Sequence, residues 1–167
     1  RNISYSFSKN YFTEKFKSLD LKDFEYVNYD LEKIEYFSKE VLKDRPILGG
    51  LNVTIPYKEL IMPYLDEVDE EAKSIGAVNT IKILKDGKLK GYNTDAFGFE
   101  TSLKSCWKGD EQGALILGTG GASKAIAHVL QKLGIPFLFV SRAKSNEQTI
   151  SYQDLDKKQI TEHELII

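Results

Sequence analysis

Two segments about forty residues apart carry the residue types needed for acid/base chemistry. Asn52-Val-Thr-Ile-Pro-Tyr-Lys58 ends on a lysine and Gly91-Tyr-Asn-Thr-Asp95 on an aspartate, each just after a short strand-like run. A lysine ammonium can give a proton to a developing alkoxide and stabilise its charge, while a neighbouring carboxylate orients the lysine and tunes its acidity. In the reverse direction the neutral lysine is the base. Spacing alone leaves a plainer alternative open. Lys58 is one of many surface lysines, and Asp95 could be the cap of a helix that begins near Thr94.

A glycine-rich segment, Gly118-Thr119-Gly120-Gly121-Ala122, follows an apolar strand and opens a helix. Gly118 allows a tight turn, and Gly120 lets the backbone approach a pyrophosphate at the helix N-terminus. The third glycine of the usual dinucleotide loop is Ser123 here. After the next strand the chain reads Val140-Ser141-Arg142-Ala143-Lys144. A carboxylate at that place binds the ribose hydroxyls of NAD, whereas Arg142 and Lys144 attract a 2′-phosphate, which favours NADP. A bare glycine turn and a solvated basic turn are the alternatives. A lysine and an aspartate ahead of such a loop suggest an acid/base pair facing a nicotinamide.

Other polar residues admit two uses each. Ser6 and Ser8, just before a helix, could donate to a substrate carboxylate or serve as helix caps. Asn79 and Thr54 could bond substrate hydroxyls or satisfy a turn and a strand. His128 and His163 have no partner at metal-ligand spacing, so no metal is expected. Cys106 reads as a packing residue at a helix end.

The elements that must position these residues follow from periodicity. The spacing predicts a helix over 8–19, a strand over 24–28, and a second helix from Asp30 carrying Leu31, Ile34, Phe37 and Val41. A short strand over 49–53 precedes a bend at Ile55-Pro56. Short helices are expected over 58–65 and within the acidic run 66–75. Residues 79–84 and 88–92 flank Lys85-Asp-Gly-Lys88, an Asp-Gly hairpin. A helix over 94–106 leads to a polar linker, 108–113. Strand 114–117, helix 122–133 and strand 137–140 then make a βαβ unit. This gives an α/β fold with a linker or domain edge at 108–113.

Composition sets limits. The 167 residues are 41% hydrophobic and 29% charged, with net charge -2 and both signs interspersed, which gives no electrostatic footprint for nucleic acid. No apolar run approaches the roughly 20 residues that span a bilayer, so no membrane partner is expected. The single cysteine allows no intrachain disulfide, and a cytoplasmic setting is the default. Arg1 in place of Met and the apolar run at 164–167 are expected to mark a piece of a longer chain, with a strand starting at the end. Oligomeric state is not readable, and a homodimer is left open.

Taken together, these segments resemble the shikimate dehydrogenase family. The matching pieces, in order, are Ser6-Phe-Ser8, Asn52 to Lys58, Gly76-Ala-Val-Asn-Thr80, Asn93-Thr-Asp95, Gly118 to Ala122 and Ser141-Arg142. The resemblance implies NADP-dependent interconversion of 3-dehydroshikimate and shikimate, in a cleft between an N-terminal α/β substrate domain over 1–95 and, after a connecting helix and linker over 96–112, a Rossmann-like NADP-binding domain that starts over 113–167. It assigns Ser6 and Ser8 to the substrate carboxylate, and Thr54, Lys58, Asn79 and Asp95 to the ring hydroxyls. Lys58 and Asp95 would be the catalytic pair. Gly118, Thr119, Gly120, Gly121 and Ala122 would cradle the pyrophosphate, and Arg142, flanked by Ser141 and Lys144, would meet the 2′-phosphate.

Two departures stand out. Tyr57 occupies a place where the family often has His or Phe, and Ala143 removes a threonine hydroxyl that would contact the phosphate. A quinate/shikimate dehydrogenase with looser choice, or a ligand-binding module of the same fold without catalysis, are the alternatives. Residues 1–167 by themselves are expected to bind cofactor poorly and turn over little.

Overall fold

The computed structural model describes residues 3, 6–107, 109, 113–142 and 146–167, and the chain divides into two units, Arg1–Leu48 and Gly49–Ile167. In the first unit, α1 (Phe7–Ser18) carries an aromatic face. Phe12 stacks on Tyr26 at 5.1 Å between ring centroids, and Phe16 meets Phe24 at 5.8 Å. The alternation at 24–28 therefore sends Phe24 and Tyr26 to one side as expected, but the segment is not a strand. A strand exists only through a paired neighbour, and this unit contains no strand among its described residues.

The expected helix from Asp30 also changes form. Leu31, Ile34, Phe37 and Val41 are all buried. The backbone, however, runs as a 3-10 turn (Ile34–Tyr36), a π turn (Phe37–Val41) and a 3-10 stretch (Leu42–Ile47) that includes Pro46. Apolar spacing fixes which side chains turn inward, and more than one hydrogen-bond ladder satisfies it. Pro46, with no N–H and a locked φ, bars a continuous α-helix at that end.

The second unit opens with a four-stranded sheet in the order β1-β3-β4-β2, built from β1 (Gly50–Asn52), β2 (Glu67–Val68), β3 (Thr80–Ile83) and β4 (Leu89–Tyr92). β3 pairs antiparallel with β1 and β4, and β2 runs parallel to β4. The Asp-Gly hairpin forms as read: Gly87 sits at φ 84, and Asp86 Oδ1 accepts from the Lys88 N–H. Gly91 has no room for a side chain, since a Cβ would lie 2.5 Å from Leu65 Cδ1 and 2.9 Å from Val78 Cγ2.

Of the two short helices expected here, the one within 66–75 forms and the one over 58–65 does not. Residues 58–65 make turns, closed by Ile61 N–H to Tyr57 O, and one 3-10 turn, Met62–Tyr64, with Pro63 inside. In the acidic run, Asp66 accepts from the Leu89 N–H and β2 follows. Asp69 then caps α2 (Glu70–Ile75) by accepting from the Glu71 N–H. Backbone-seeking aspartates set where the helix within 66–75 begins.

After α3 (Asp95–Cys106), β5 (Ala114–Leu117), α4 (Gly121–Leu133), β6 (Phe137–Ser141), β7 (Thr149–Ser151), α5 (Lys157–Glu162) and β8 (Leu165–Ile166) form an all-parallel sheet in the order β7-β6-β5-β8. Numbered from its first strand the order is 3-2-1-4, the doubly wound arrangement whose ligand crevice lies at the strand carboxyl ends where the order reverses. The architecture is thus α/β, with a Rossmann-like parallel unit after the N-terminal portion.

α4 buries Ala125 and Val129 with Ile75, Ala77 and Ala96, and Ala127 and Leu130 with Leu103 and Ile116. The expected linker, 108–113, lies mostly outside the described residues. Among the described residues no helix is long and apolar enough to cross a membrane.

Candidate functional site

Lys58 follows the β1 strand by six residues and is tied down by its own carbonyl, which accepts from the Val78 N–H at 2.7 Å. Its side chain is 15% exposed, and Nζ donates to Asp95 Oδ2 at 2.7 Å. Asp95 is 33% exposed and has its other oxygen, Oδ1, bonded by Asn79 Nδ2 at 2.8 Å. Both carboxylate oxygens are therefore engaged, one by a cation and one by an amide.

Asn79 is the hub of this cluster. Its Oδ1 accepts from the Thr94 N–H and from Thr80 Oγ1, each at 2.9 Å, and its Nδ2 also reaches Thr94 Oγ1. Such a fixed amide leaves Asp95 no choice of orientation.

The plainer use of Asp95 as helix cap is taken by another residue. Asn93 Oδ1 accepts from the N–H groups of Asp95 and Ala96, while its Nδ2 donates to Ala77 O at 2.9 Å. Asn93 is buried and does the capping, which leaves the Asp95 carboxylate for Lys58. Sequence reasoning did not assign Asn93 a place in the site. The signal was there, an asparagine two residues before a helix start.

The glycine loop adjoins this cluster. Gly118 takes φ 120, a conformation open to glycine, and its N–H donates to Val140 O at 2.8 Å, which places the loop beside the end of β6. A Cβ on Gly120 would meet open space. A Cβ on Gly121 would lie 3.0 Å from Lys58 Cβ and 3.4 Å from Ala77 Cβ, so the first turn of α4 rests on the stem of the lysine. Thr119 and Ala122 are exposed, Ser141 ends β6 and Arg142 is exposed just beyond it. Lys144 lies outside the described residues. No carboxylate stands at 140–142.

A glycine at positive φ, free backbone at a helix N-terminus and the strand order together fit a dinucleotide pyrophosphate.

Lys58, Asn79 and Asp95 are thus brought together, with the glycine loop against them. Thr54 is exposed in the turn before Lys58. Ser6 is the N-cap residue of α1 without a side-chain capping bond, and Ser8 bonds the Tyr26 hydroxyl; both belong to the other unit. Among the described residues no group of three or more His, Cys, Asp or Glu side chains could hold a metal ion.

The family model for the shikimate dehydrogenase substrate binding domain matches residues 1–81. A shikimate dehydrogenase (NADP(+)) of Staphylococcus epidermidis is 45% identical over 141 residues, covering 83% of this chain and 51% of its own. The chain belongs to the shikimate dehydrogenase family. Among solved structures, shikimate dehydrogenase 1 of Peptoclostridium difficile superposes with a TM-score of 0.78 at 40% identity, over 92% of this chain and 58% of that one. The Thermus thermophilus shikimate dehydrogenase solved with NADP(H) and shikimate gives 0.72 at 34% identity, over 86% and 54%. The chain spans about half the length of the curated shikimate dehydrogenases it matches.

Proposed function

We propose that the whole protein reduces 3-dehydroshikimate to shikimate reversibly, with NADP as cofactor and Lys58 and Asp95 as the proton-handling pair. The observation that carries this reading is the Lys58–Asp95 contact at 2.7 Å, with the second carboxylate oxygen held by Asn79, in a chain of this family. Residues 1–95 are assigned to substrate, 96–112 to the connection and 113–167 to the cofactor side.

When bound, the dinucleotide supplies a hydride to the carbonyl carbon. Lys58 Nζ gives its proton to the carbonyl oxygen as negative charge develops there, so the C=O becomes CH–OH, and Lys58 recovers a proton from solvent. Asp95 keeps the ammonium aimed. In the other direction neutral Lys58 takes the hydroxyl proton. Asn79 and Thr54 bind ring hydroxyls, and Ser6 and Ser8 bind the carboxylate. Gly118 makes the turn of the pyrophosphate loop, Thr119, Gly120, Gly121 and Ala122 hold the pyrophosphate with backbone N–H groups, and Ser141, Arg142 and Lys144 receive the 2′-phosphate.

The test is NADPH oxidation on adding 3-dehydroshikimate, with the intact protein and Lys58→Ala side by side. The expected result is a kcat lowered by about 10²–10⁴-fold in the variant with shikimate affinity little changed. Quinate and NAD run in parallel separate a relaxed enzyme from a strict one. Absence of turnover in the intact protein overturns the enzyme reading and leaves a ligand-binding module.

A further inference from the structure

Three basic residues recur at steps of four along α4, and each meets a carboxylate from a different element. Lys124 Nζ lies 2.5 Å from Glu59 Oε2, His128 Nε2 lies 3.5 Å from Glu71 Oε1 on α2, and Lys132 Nζ lies 2.8 Å from Glu100 Oε2 on α3. Steps of four keep all three on one face of the helix. Exposed pairs of this kind contribute little to stability, so their worth depends on where they act.

The first pair differs from the other two in what lies around it. Further along α4, Ala125, Val129 and Leu130 are buried and hold the helix by packing. The first turn, Gly121-Ala-Ser-Lys124, has no large apolar side chain to bury. It nevertheless carries the backbone that adjoins Lys58, at a distance set by the missing Cβ of Gly121. Glu59 is the residue after Lys58, and Lys124 is the fourth residue of α4. A lysine in the first turn also opposes the positive end of the helix dipole, an unfavourable place unless a carboxylate offsets it.

We propose that Glu59 and Lys124 are positioning residues: their ion pair fixes the spacing between Lys58 and the glycine loop, and so between the proton donor and the cofactor. This rests on the reading of the site given above. Neither residue touches the reacting atoms. They act by adding a charged tie between the Lys58 segment and the first turn of α4, whose apolar packing there is limited to Ala77, Ala125 and the stem of Lys58.

The test uses the intact protein and four changes. Glu59→Gln and Lys124→Gln are each expected to lower kcat about tenfold, within the roughly 100-fold that a 1 Å misplacement can cost, with shikimate affinity unchanged. The charge swap Glu59→Lys/Lys124→Glu is expected to recover most of the loss. Glu100→Gln, which breaks an equivalent pair at the far end of α4, is expected to leave kcat unchanged. An unaltered kcat in the first two variants, or an equal fall in Glu100→Gln, overturns the proposal.

If the intact protein shows no turnover with 3-dehydroshikimate, the functional reading fails separately. Hydrogen exchange at the amides of residues 121–125 then decides the positioning claim. Faster exchange in Glu59→Gln but not in Glu100→Gln sustains it, and equal rates overturn it.

Discussion

The lysine–aspartate cluster and the glycine loop touch at Gly121, and they are organised by opposite means. In the cluster the side chains direct one another: Lys58 is directed by Asp95, Asp95 by Asn79, and Asn79 by the hydroxyls of Thr80 and Thr94 and the Thr94 N–H. In the loop the side chains are small or missing, and the geometry is set by one backbone bond and one positive φ. The lysine–aspartate side is therefore organised before any ligand arrives, and each of its side-chain atoms can be removed by mutation. The glycine-loop side is main chain, which mutation cannot delete. It is vulnerable to added atoms instead.

That contrast can be broken most sharply at Asp95. Asp95→Asn keeps the shape and removes the charge, and kcat is expected to fall on the order of 100-fold while NADPH affinity measured by fluorescence stays put. Gly118→Ala is the mirror experiment. The new Cβ would sit an ordinary 3.4 Å from Ser123 Oγ, so the damage comes from φ 120 rather than from a clash. A strain of about 1–3 kcal/mol should weaken NADPH binding about tenfold or more and leave shikimate binding unchanged. Equal effects on both ligands would show that the two regions are not separable.

Asn93→Ala tests whether the cluster depends on its scaffold. Losing the cap of α3 and the partner of Ala77 O should cost about 1–3 kcal/mol in a denaturant titration, with a smaller fall in kcat through Asp95. A stability unchanged by Asn93→Ala would remove Asn93 from the account.

The smallest effect is expected at Glu100. Bonds from Lys104 and then Lys132 hold its carboxyl at about 2, below its ordinary 4.5. A depressed carboxyl contributes stability above the unfolded value and loses it as pH falls through the folded one. Thermal melts should therefore decline between about pH 4.5 and pH 2, and less steeply in Glu100→Gln. An identical decline in the variant would exclude Glu100 as a source.

Much of this arrangement was legible in the chain. The βαβ unit stood out because an apolar strand, a glycine turn and a 3.6-residue repeat follow one another without interruption. Lys58 and Asp95 were marked as candidates by residue type and by family resemblance, but spacing could not say that they meet. That depended on Asn93 taking over the cap, a choice between two adjacent polar residues that periodicity does not register.

Phe24 to Asn28 alternates correctly and still makes no ladder, because alternation names a face and not a partner. Residues 31–41 bury the expected side chains through other turns, because 3-10, π and α turns all carry that spacing. The basic stripe Lys124, His128 and Lys132 went unread in the sequence, because its acidic partners are scattered over 59, 71 and 100.

The main chain at Asn79 has a kinetic meaning. Its N–H donates to Tyr92 O, its carbonyl accepts from the Val53 N–H, and the next amide back, Val78, is held by Lys58 O. The Asn79 and Val53 hydrogens can leave for solvent only when β3 parts from β4 or from the end of β1, and the Val78 hydrogen when the Lys58 turn lets go, so opening of the lysine–aspartate cluster is tied to its sheet. It melts when its sheet melts. Fluctuations that admit and release ligand must then be borne by the loop, and residual activity on warming should track the folded population rather than fade ahead of it.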